Sequence, residues 1–526
     1  MCGIFVLLNP QISRCEAEAG FQRGMNRGPD DSRFIDIDGT VWMGFHRLSI
    51  NGLDANSGQP MIRNGLFLVC NGEIYNHAEL MHRMNVLPTT FSDCEVILNL
   101  YERYGIEQTV RMIDASEFAF VLYDAARQTL YSVRDPYGVR PLIKAVRGTQ
   151  VAFGSEMKML PVNSTFSAQT PGTIETYVNG MFFNSISYSN TPCIANTIQN
   201  LTFARDVVRR ALYDAVRKRV LNTDRPVACL LSGGLDSSIV AALVRQVRRE
   251  LGVVEPLETY SIGMEGAEDL KYAQEMADFL GTRHTSVVLT ERDFFDAIPE
   301  VICAIESYDT TTVRASVGNY LVARHIANNS EAKVIFNGDG SDEVAGGYLY
   351  FHYAPDAVAK DQECRRLLKD IHFFDALRSD RCIASNGLEA RTPFLDRAFV
   401  QTYLALPLDA RFPEGQCEKY LLRSAFEDML PERICWRTKE AFSDGVSSLN
   451  RSWFQIISEL IPDDGAAVFE GEAHNVPQTR EQRYYRALFP YDVRMVPYFW
   501  MPRFIQQTDC SARTLSIYQN NLNNLT

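Results

Sequence analysis

In the first part of the chain the apolar residues come in short runs separated by polar turns, the pattern of a sheet-rich domain. Runs at 67–70, 118–123, 129–134 and 150–154 read as strands, with 124–128 turning one hairpin. Gly44 to Ile50 reads as another strand, with Arg47 embedded in it. A helix is expected behind Ser92-Asp93-Cys94-Glu95, because Val96, Ile97, Leu100 and Tyr104 share a helical face and the polar group ahead suits an N-cap. A short helix is expected to open at 155–158. Between 188 and 200 apolar periodicity lapses into Asn and Pro, which places a domain boundary there and gives domains of 2–190 and 200–526. Beyond it the grammar changes. A helical pattern at 207–220 precedes a strand at 227–231 and a helix beginning near Asp236. Strands at 258–263, 285–289 and 333–336 then alternate with helices at 269–280, closed by Gly281, and 294–305. That alternation predicts a doubly wound α/β sheet.

Composition narrows the classes. A chain of 526 residues is long for a single core. Hydrophobic content of 46% and a mean hydropathy of -0.16 describe a soluble globular protein, and no apolar run approaches the length of a membrane span. A net charge of -13 argues against nonspecific nucleic-acid binding. Basic clusters at 217–219 and 245–249 fall on helical patterns and are expected to be solvated faces. The 12 cysteines form no CxxC pair and the 8 histidines no HExxH spacing, so a reducing, cytoplasmic setting without a zinc site is expected. Oligomeric state is open, with a homodimer among the options.

Three places carry candidate chemistry. At Ser232-Gly233-Gly234-Leu235-Asp236-Ser237-Ser238 a strand breaks into a helix at two glycines. That arrangement aims bare N–H groups at an anion, although an ordinary strand-to-helix turn is marked the same way. The GK[ST] ending of a Walker A loop is absent. Cys2, directly behind Met1, would become a nucleophile with its own α-amine as base once the methionine is removed. On position alone, a small buried cysteine at the start of a strand is the plainer reading. Asn337-Gly338-Asp339-Gly340-Ser341-Asp342-Glu343 sets three acids among glycines, which suits Mg²⁺ beside phosphate but also suits a solvated loop. The Gly346-Gly347-Tyr348 that follows implies a tight turn or a close approach.

The order and spacing of MCGIF, RGPD, HRLSI, NGEIYN and SDCEVIL resemble a class II glutamine amidotransferase domain. The resemblance implies an N-terminal-nucleophile αββα sandwich that hydrolyses glutamine. It implies Cys2 as nucleophile and Asn71 and Gly72 as the oxyanion hole. Arg47, Leu48, Ser49, Ile50, Glu73 and Asp93 would line the glutamine site, with Arg47 on the α-carboxylate and Glu73 and Asp93 on the α-amine. SGGLDSS resembles the pyrophosphate loop of ATP pyrophosphatases. With YSIGM, ESYDTTTVRAS, GSDEVAGGYLYFH, GLEARTPFLD and WRTKEAFSDGV, the second half resembles the glutamine-hydrolysing asparagine synthetases.

That likeness implies activation of the aspartate side chain as an acyl-adenylate and its capture by ammonia, sheltered in a tunnel. ATP would lie on Leu231, Ser232, Gly233, Gly234, Asp236, Ser237, Ile262, Asn337 and Gly338. Mg²⁺ would lie on Asp236 and Asp342, and Lys439 would stabilise the phosphates. Asp339 stands where bacterial and animal members typically carry glutamate, one methylene longer. Arg314, Glu389 and Arg391 are motif-borne candidates for reading aspartate. A paralogue amidating another carboxylate and a non-catalytic glutamine or nucleotide sensor are the competing readings; the intact Cys2, Arg47, Asn71, Asp236, Asp342 and Lys439 weigh against the sensor.

Overall fold

The computed structural model describes residues 1–189, 194, 200–462, 473–507 and 509–523. Most of the boundary expected at 188–200 therefore lies outside the described residues. The chain forms two compact units. The first is Met1–Asn190 together with two later segments, Asn222–Pro226 and Ile383–Glu389, and the second is the remainder.

Twelve strands build the first unit: β1 (Gly3–Leu8), β2 (Asp31–Ile37), β3 (Val41–Arg47), β4 (Met61–Arg63), β5 (Leu66–Gly72), β6 (Phe118–Asp124), β7 (Thr129–Arg134), β8 (Ile143–Arg147), β9 (Gln150–Gly154), β10 (Thr165–Ala168), β11 (Thr173–Val178) and β12 (Met181–Ser187). They pair antiparallel into two six-stranded sheets, ordered β10-β8-β9-β1-β3-β2 and β12-β11-β7-β6-β5-β4. Helix α1 (Arg14–Gln22) covers the outer face of the first sheet, bringing the Phe21 ring 5.9 Å from Phe5 of β1. Strand periodicity assigns the remaining faces. Ile4, Val6 and Leu8 meet Val69, Ala119 and Val121 in the core between the sheets. The alternate residues Leu68, Cys70, Phe118 and Phe120 pack beneath α2 (His77–Met84) and α3 (Glu95–Met112). The layers are α, β, β, α, as expected.

Local differences have physical causes. β3 ends at Arg47 rather than Ile50, and β5 runs beyond Cys70 through Asn71 and Gly72, which pair with Ala119 and Phe118. Asp93 does not cap α3. Its Oδ2 accepts the Ile74 backbone N–H at 2.6 Å, while Ser92 Oγ accepts from Cys94 N at 3.3 Å. The helix expected at 155–158 is a single 3-10 turn, Met157–Met159.

The second unit opens with α4 (Leu201–Leu221) and then alternates β13 (Val227–Leu230), α5 (Leu235–Glu250), β14 (Glu258–Met264), α6 (Glu268–Leu280) and β15 (Arg283–Leu289). The helix expected at 294–305 is two, α7 (Glu291–Asp296) and α8 (Ile298–Ile305), because Pro299 in the first turn of α8 cannot continue a preceding helix. There follow α9 (Thr310–Asn329), β16 (Val334–Phe336), α10 (Ser341–Ala345) and β17 (Glu389–Arg391), the last too short to show a pattern in the sequence. Sheet order is β15-β14-β13-β16-β17, with β13 parallel to both neighbours. The chain therefore winds one way from β13 through β15 and then resumes on its other side at β16. Ligands bind in such sheets at the crevice between the carboxyl ends of the two strands where the order reverses. In the basic cluster expected to be solvated at 217–219, Arg217 is exposed but Arg219 is not: it is 0% exposed, and its guanidinium pairs with Asp396 at 2.8 Å.

Candidate active sites

In the first unit, Cys2 sits at the head of β1, beside the ends of β3 and β5. Its Sγ accepts the Leu48 N–H at 3.4 Å, and its backbone N–H donates to Asn71 Oδ1 at 3.0 Å. Arg27 Nε fixes the Cys2 carbonyl at 2.9 Å and is itself paired with buried Glu156 at 3.3 Å. Burial pushes the Cys2 thiol up from its ordinary pKa. Asn71 is 1% exposed, and its Nδ2 has no hydrogen-bond partner among the described residues. A buried amide donor left unpaired next to a sulfur is costly unless something arrives to accept from it.

The other predicted glutamine-site residues gather around this pair. Arg47 is nearly buried, and its guanidinium is steadied by the carbonyls of Asp54 (2.7 Å) and Gly52. Ser49 N donates to Asp30 Oδ2 at 2.8 Å, which ties the RGPD turn to the loop after β3. Ile50 accepts from Asp224 N at 2.9 Å. Glu73 Oε2 collects two amide donors, Asn51 Nδ2 at 2.5 Å and Asn222 Nδ2 at 2.6 Å. Asn222 belongs to the short later segment of this unit and carried no signal in the sequence. Met1 is fully buried, and its ammonium donates to the Leu388 carbonyl at 3.1 Å.

In the second unit a cavity lies at the carboxyl ends of β13, β14 and β16. Its lining includes every residue predicted for ATP and metal except Gly233. Gly233 holds the turn itself, with φ of 71° and its Cα pressed so close to Tyr272 that a Cβ would lie 2.3 Å from that backbone. The loop is braced from within: Gly234 N donates to Ser232 Oγ at 3.3 Å and Ser232 N to Ser237 Oγ at 3.2 Å. Helix α5 has Gly234 at its N-cap and no side-chain cap, and its first residues, Leu235 and Asp236, line the cavity, which leaves the N–H groups of its first turn open to a ligand there.

Asp236 and Asp342 meet here over two lysines. Lys419 Nζ is 2.7 Å from both oxygens of Asp236 and 2.5 Å from Asp342 Oδ1, and it is 1% exposed. Lys439 Nζ is 2.7 Å from Asp342 and 3.8 Å from Asp236. Burial alone would raise the Asp342 pKa, but the two ammonium groups override it and hold the carboxyl far below its ordinary range. Burial would lower that of Lys439, and the two carboxylates raise it instead. Gly347 makes room for this cluster: a Cβ there would lie 1.9 Å from Lys419 Cε and 2.1 Å from Asp342 Oδ1. The double glycine of the sequence is thus a close approach, to a lysine the sequence did not single out.

Asp339 stands across the cavity. Arg378 donates to its Oδ1 at 2.8 Å and also lies 3.3 Å from Asp375. Oδ2 of Asp339 is buried with no hydrogen-bond partner among the described residues. Burial raises the Asp339 pKa, with Arg378 opposing and Asp375 adding to it. Asn337 is held by its Nδ2 donating to Ser379 Oγ at 2.7 Å. Arg314, Glu389 and Arg391 do not line the cavity. The Arg314 fork is taken by Glu481 (2.8 and 2.5 Å) and Asp509 (2.9 and 2.8 Å), and Arg391 donates to the Arg219 carbonyl. Among the described residues, no group of three or more His, Cys, Asp or Glu gathers as a metal nest, and no helix is long and apolar enough to cross a membrane.

Comparison with known proteins follows the same division. The family described as glutamine amidotransferase domain matches residues 1–211, and that described as asparagine synthase matches 207–363 and 355–487. Asparagine synthetase [glutamine-hydrolyzing] of Gallus gallus is 40% identical over 562 aligned residues, covering 99% of each chain. The proteins of that name from Bos taurus and Homo sapiens are also 40% identical, again over 99% of each chain.

Proposed function

The chain belongs to the glutamine-hydrolysing asparagine synthetases, and from that premise we propose that it converts aspartate to asparagine, with ATP as activator and glutamine as nitrogen donor. The observation that carries the reading is the paired Asp236–Asp342 and Lys419–Lys439 cluster at the mouth of the Ser232 loop. Four charges so arranged beside an open helix N-terminus suit the reception of a polyphosphate. We assign the glutaminase half to residues 2–190 and the synthetase half to 200–526.

In the glutaminase half, Cys2 Sγ attacks the glutamine amide carbon. While Met1 is attached, the Cys2 nitrogen is an amide and the thiol is protonated, so the site is dormant. Removal of Met1 exposes an amine that takes the thiol proton. The oxyanion of the tetrahedral intermediate is received by unpaired Asn71 Nδ2 and by Gly72 N–H. Arg47 takes the α-carboxylate, and Glu73 and Asp93 the α-amine. Ammonia leaves, and water releases glutamate from the thioester.

In the synthetase half, the aspartate side-chain carboxylate attacks the α-phosphorus and pyrophosphate departs into the Ser232–Ser237 loop. Ammonia then attacks the acyl carbon, its proton passes to Asp339 Oδ2, and AMP leaves. Mg²⁺ fits this site on the chemistry of its donors. Asp236 and Asp342 are hard oxygen ligands, and Mg²⁺ takes one or two carboxylates plus phosphate oxygens. Without nucleotide the two lysines already balance the two acids, so polyphosphate and metal are expected to bind together. When bound, Mg²⁺ offsets charge on the leaving pyrophosphate. The eleven described cysteines are all free thiols, which accords with a cytoplasmic setting.

The test is to supply ATP, Mg²⁺ and aspartate with either glutamine or ammonium, and to measure pyrophosphate and asparagine. Both products are expected with either nitrogen source. Absence of pyrophosphate with aspartate under both conditions defeats the assignment, and pyrophosphate with another carboxylic acid alone establishes the paralogue instead. Cys2→Ala should abolish glutamine use and spare ammonium use; loss of both refutes the division of labour.

A further inference from the structure

Lys439 reaches the cavity from a stretch with little structure of its own: residues 437–441 form neither helix nor strand. A flexible ammonium side chain on such a stretch is placed only as well as its neighbours are held. On the amino side Arg437 is fixed, its Nη2 2.8 Å from Asp269 Oδ1 and its guanidinium 3.9 Å from the centre of the Tyr272 ring. On the carboxyl side the hold comes from the end of the chain. Arg513 Nε donates to Glu440 Oε1 at 2.8 Å, and Tyr518 Oη to Glu440 Oε2 at 2.5 Å. Arg513 Nη1 also donates to the Ser448 carbonyl at 2.8 Å, and Ser511 Oγ donates to Asp444 Oδ1 at 2.8 Å. The Arg513 and Glu440 side chains are 8% and 9% exposed, so theirs is a buried ion pair. The same end of the chain is anchored a second time, on the segment that follows α10. Leu515 and Tyr518 pack among Tyr350, Phe351 and Trp500, and Ser516 Oγ lies 2.8 Å from Tyr353 Oη.

We propose that Arg513 is a positioning residue for the synthetase reaction: through Glu440 it holds Lys439 over Asp342, where the phosphates arrive. The inference rests on the ATP-splitting function above. The 3-10 turn Ala512–Thr514 and the helix Ser516–Asn523 tie the stretch carrying Lys439 to the segment leading from Asp342, so the cation and its acid are held from one scaffold. Lys439 and Glu440 are consecutive, and a backbone shift at one carries the other. Without Arg513, Glu440 is a buried carboxylate that has lost its cation, and deleting one partner of a buried pair is costly. The carboxylate must then move toward water, and the backbone that carries Lys439 moves with it. A displacement of about 1 Å at a reacting group can cost on the order of a hundredfold in rate. Arg513 does not itself line the cavity, so its effect on the phosphates passes through Lys439.

The experiment is a double-mutant cycle on the full chain with Arg513→Met, Lys439→Met and the two together. Two quantities are read: kcat/KM for ATP in ammonium-dependent pyrophosphate release, and the affinity for inorganic pyrophosphate with Mg²⁺ by calorimetry. Thermal unfolding shows that the second unit is folded at the assay temperature. Arg513→Met is expected to lower kcat/KM by about 10- to 100-fold and to weaken pyrophosphate binding with it. In the Lys439→Met background the same change should cost little further in either quantity. Arg513→Lys, which keeps a cation on Glu440, should recover much of the loss. Equal costs of Arg513→Met with and without Lys439 overturn the proposal, since a merely structural role would act on both backgrounds alike. So does native pyrophosphate affinity in Arg513→Met, or a loss in Arg513→Lys as large as in Arg513→Met. Should Arg513→Met unfold below the assay temperature, Tyr518→Phe, which removes only the hydroxyl on Glu440, takes its place in the cycle under the same criteria. A native enzyme that neither releases nor binds pyrophosphate defeats the function itself, a separate outcome seen before any variant is made.

Discussion

Replacing Lys419 tests whether the Asp236–Asp342 cluster is balanced by charge. Lys419 is 1% exposed and touches both acids at 2.5–2.7 Å. Two unit charges about 3 Å apart at an effective dielectric of about 20 attract by roughly 5 kcal/mol. Desolvation offsets part of this, and breaking a buried pair by deleting one partner typically costs about 3–5 kcal/mol. In Lys419→Met two buried carboxylates share Lys439 alone, so a loss within that range is expected for the second unit. Pyrophosphate release should fall at least about a hundredfold, because the incoming phosphates then meet an uncompensated negative charge. Glutamine hydrolysis in the first unit should persist. Adding Asp342→Asn to Lys419→Met restores neutrality and should recover a large part of the lost stability, though not the activity. Thermal unfolding followed beside both activities measures all of this. A double variant no more stable than the single one, or a single variant as stable as the native protein, refutes the charge-balance argument.

Three further expectations follow from the same geometry. Asn71→Ala should lower glutamine-dependent turnover by about 2.7–4 kcal/mol of transition-state stabilisation and leave ammonium-dependent synthesis untouched, which steady-state kinetics with the two nitrogen sources separates. Asp339→Glu should give no gain in synthesis and should lower stability by about 1–3 kcal/mol, because Arg378 already grips the shorter acid at 2.8 Å and an added methylene overpacks a buried site; a faster enzyme would show Asp339 to be a handicap. His284 is pushed down to about 4 by burial. Between pH 6.5 and 4 only the unfolded chain takes up its proton, so stability falls as pH falls through that window, and His284→Asn should flatten the slope of unfolding midpoint against pH.

How far the sequence carries this protein is clearest at particular residues. The strands at 129–134 and 150–154, the C-cap at Gly281 and the turn of the Ser232 loop are local: each follows from periodicity or backbone freedom within a few residues, and the structure reproduces each. Residue chemistry in close sequence, as in Asn71-Gly72-Glu73 or Asp339 to Asp342, marks the two candidate sites by itself. Partners far apart along the chain could not be read this way. Lys419 lies 183 residues from Asp236 and has no local pattern, because an isolated lysine on a helical stretch looks solvated until a fold carries it inward. Asn222 reaches Glu73 across 149 residues, Arg378 reaches Asp339 across 39, and Arg219 is buried because Asp396 waits for it. The sequence by itself determined which backbones and chemical groups were available. Tertiary structure alone decided which charges face one another and which polar atoms are left unpaired, since burial and pairing depend on every element packed around them.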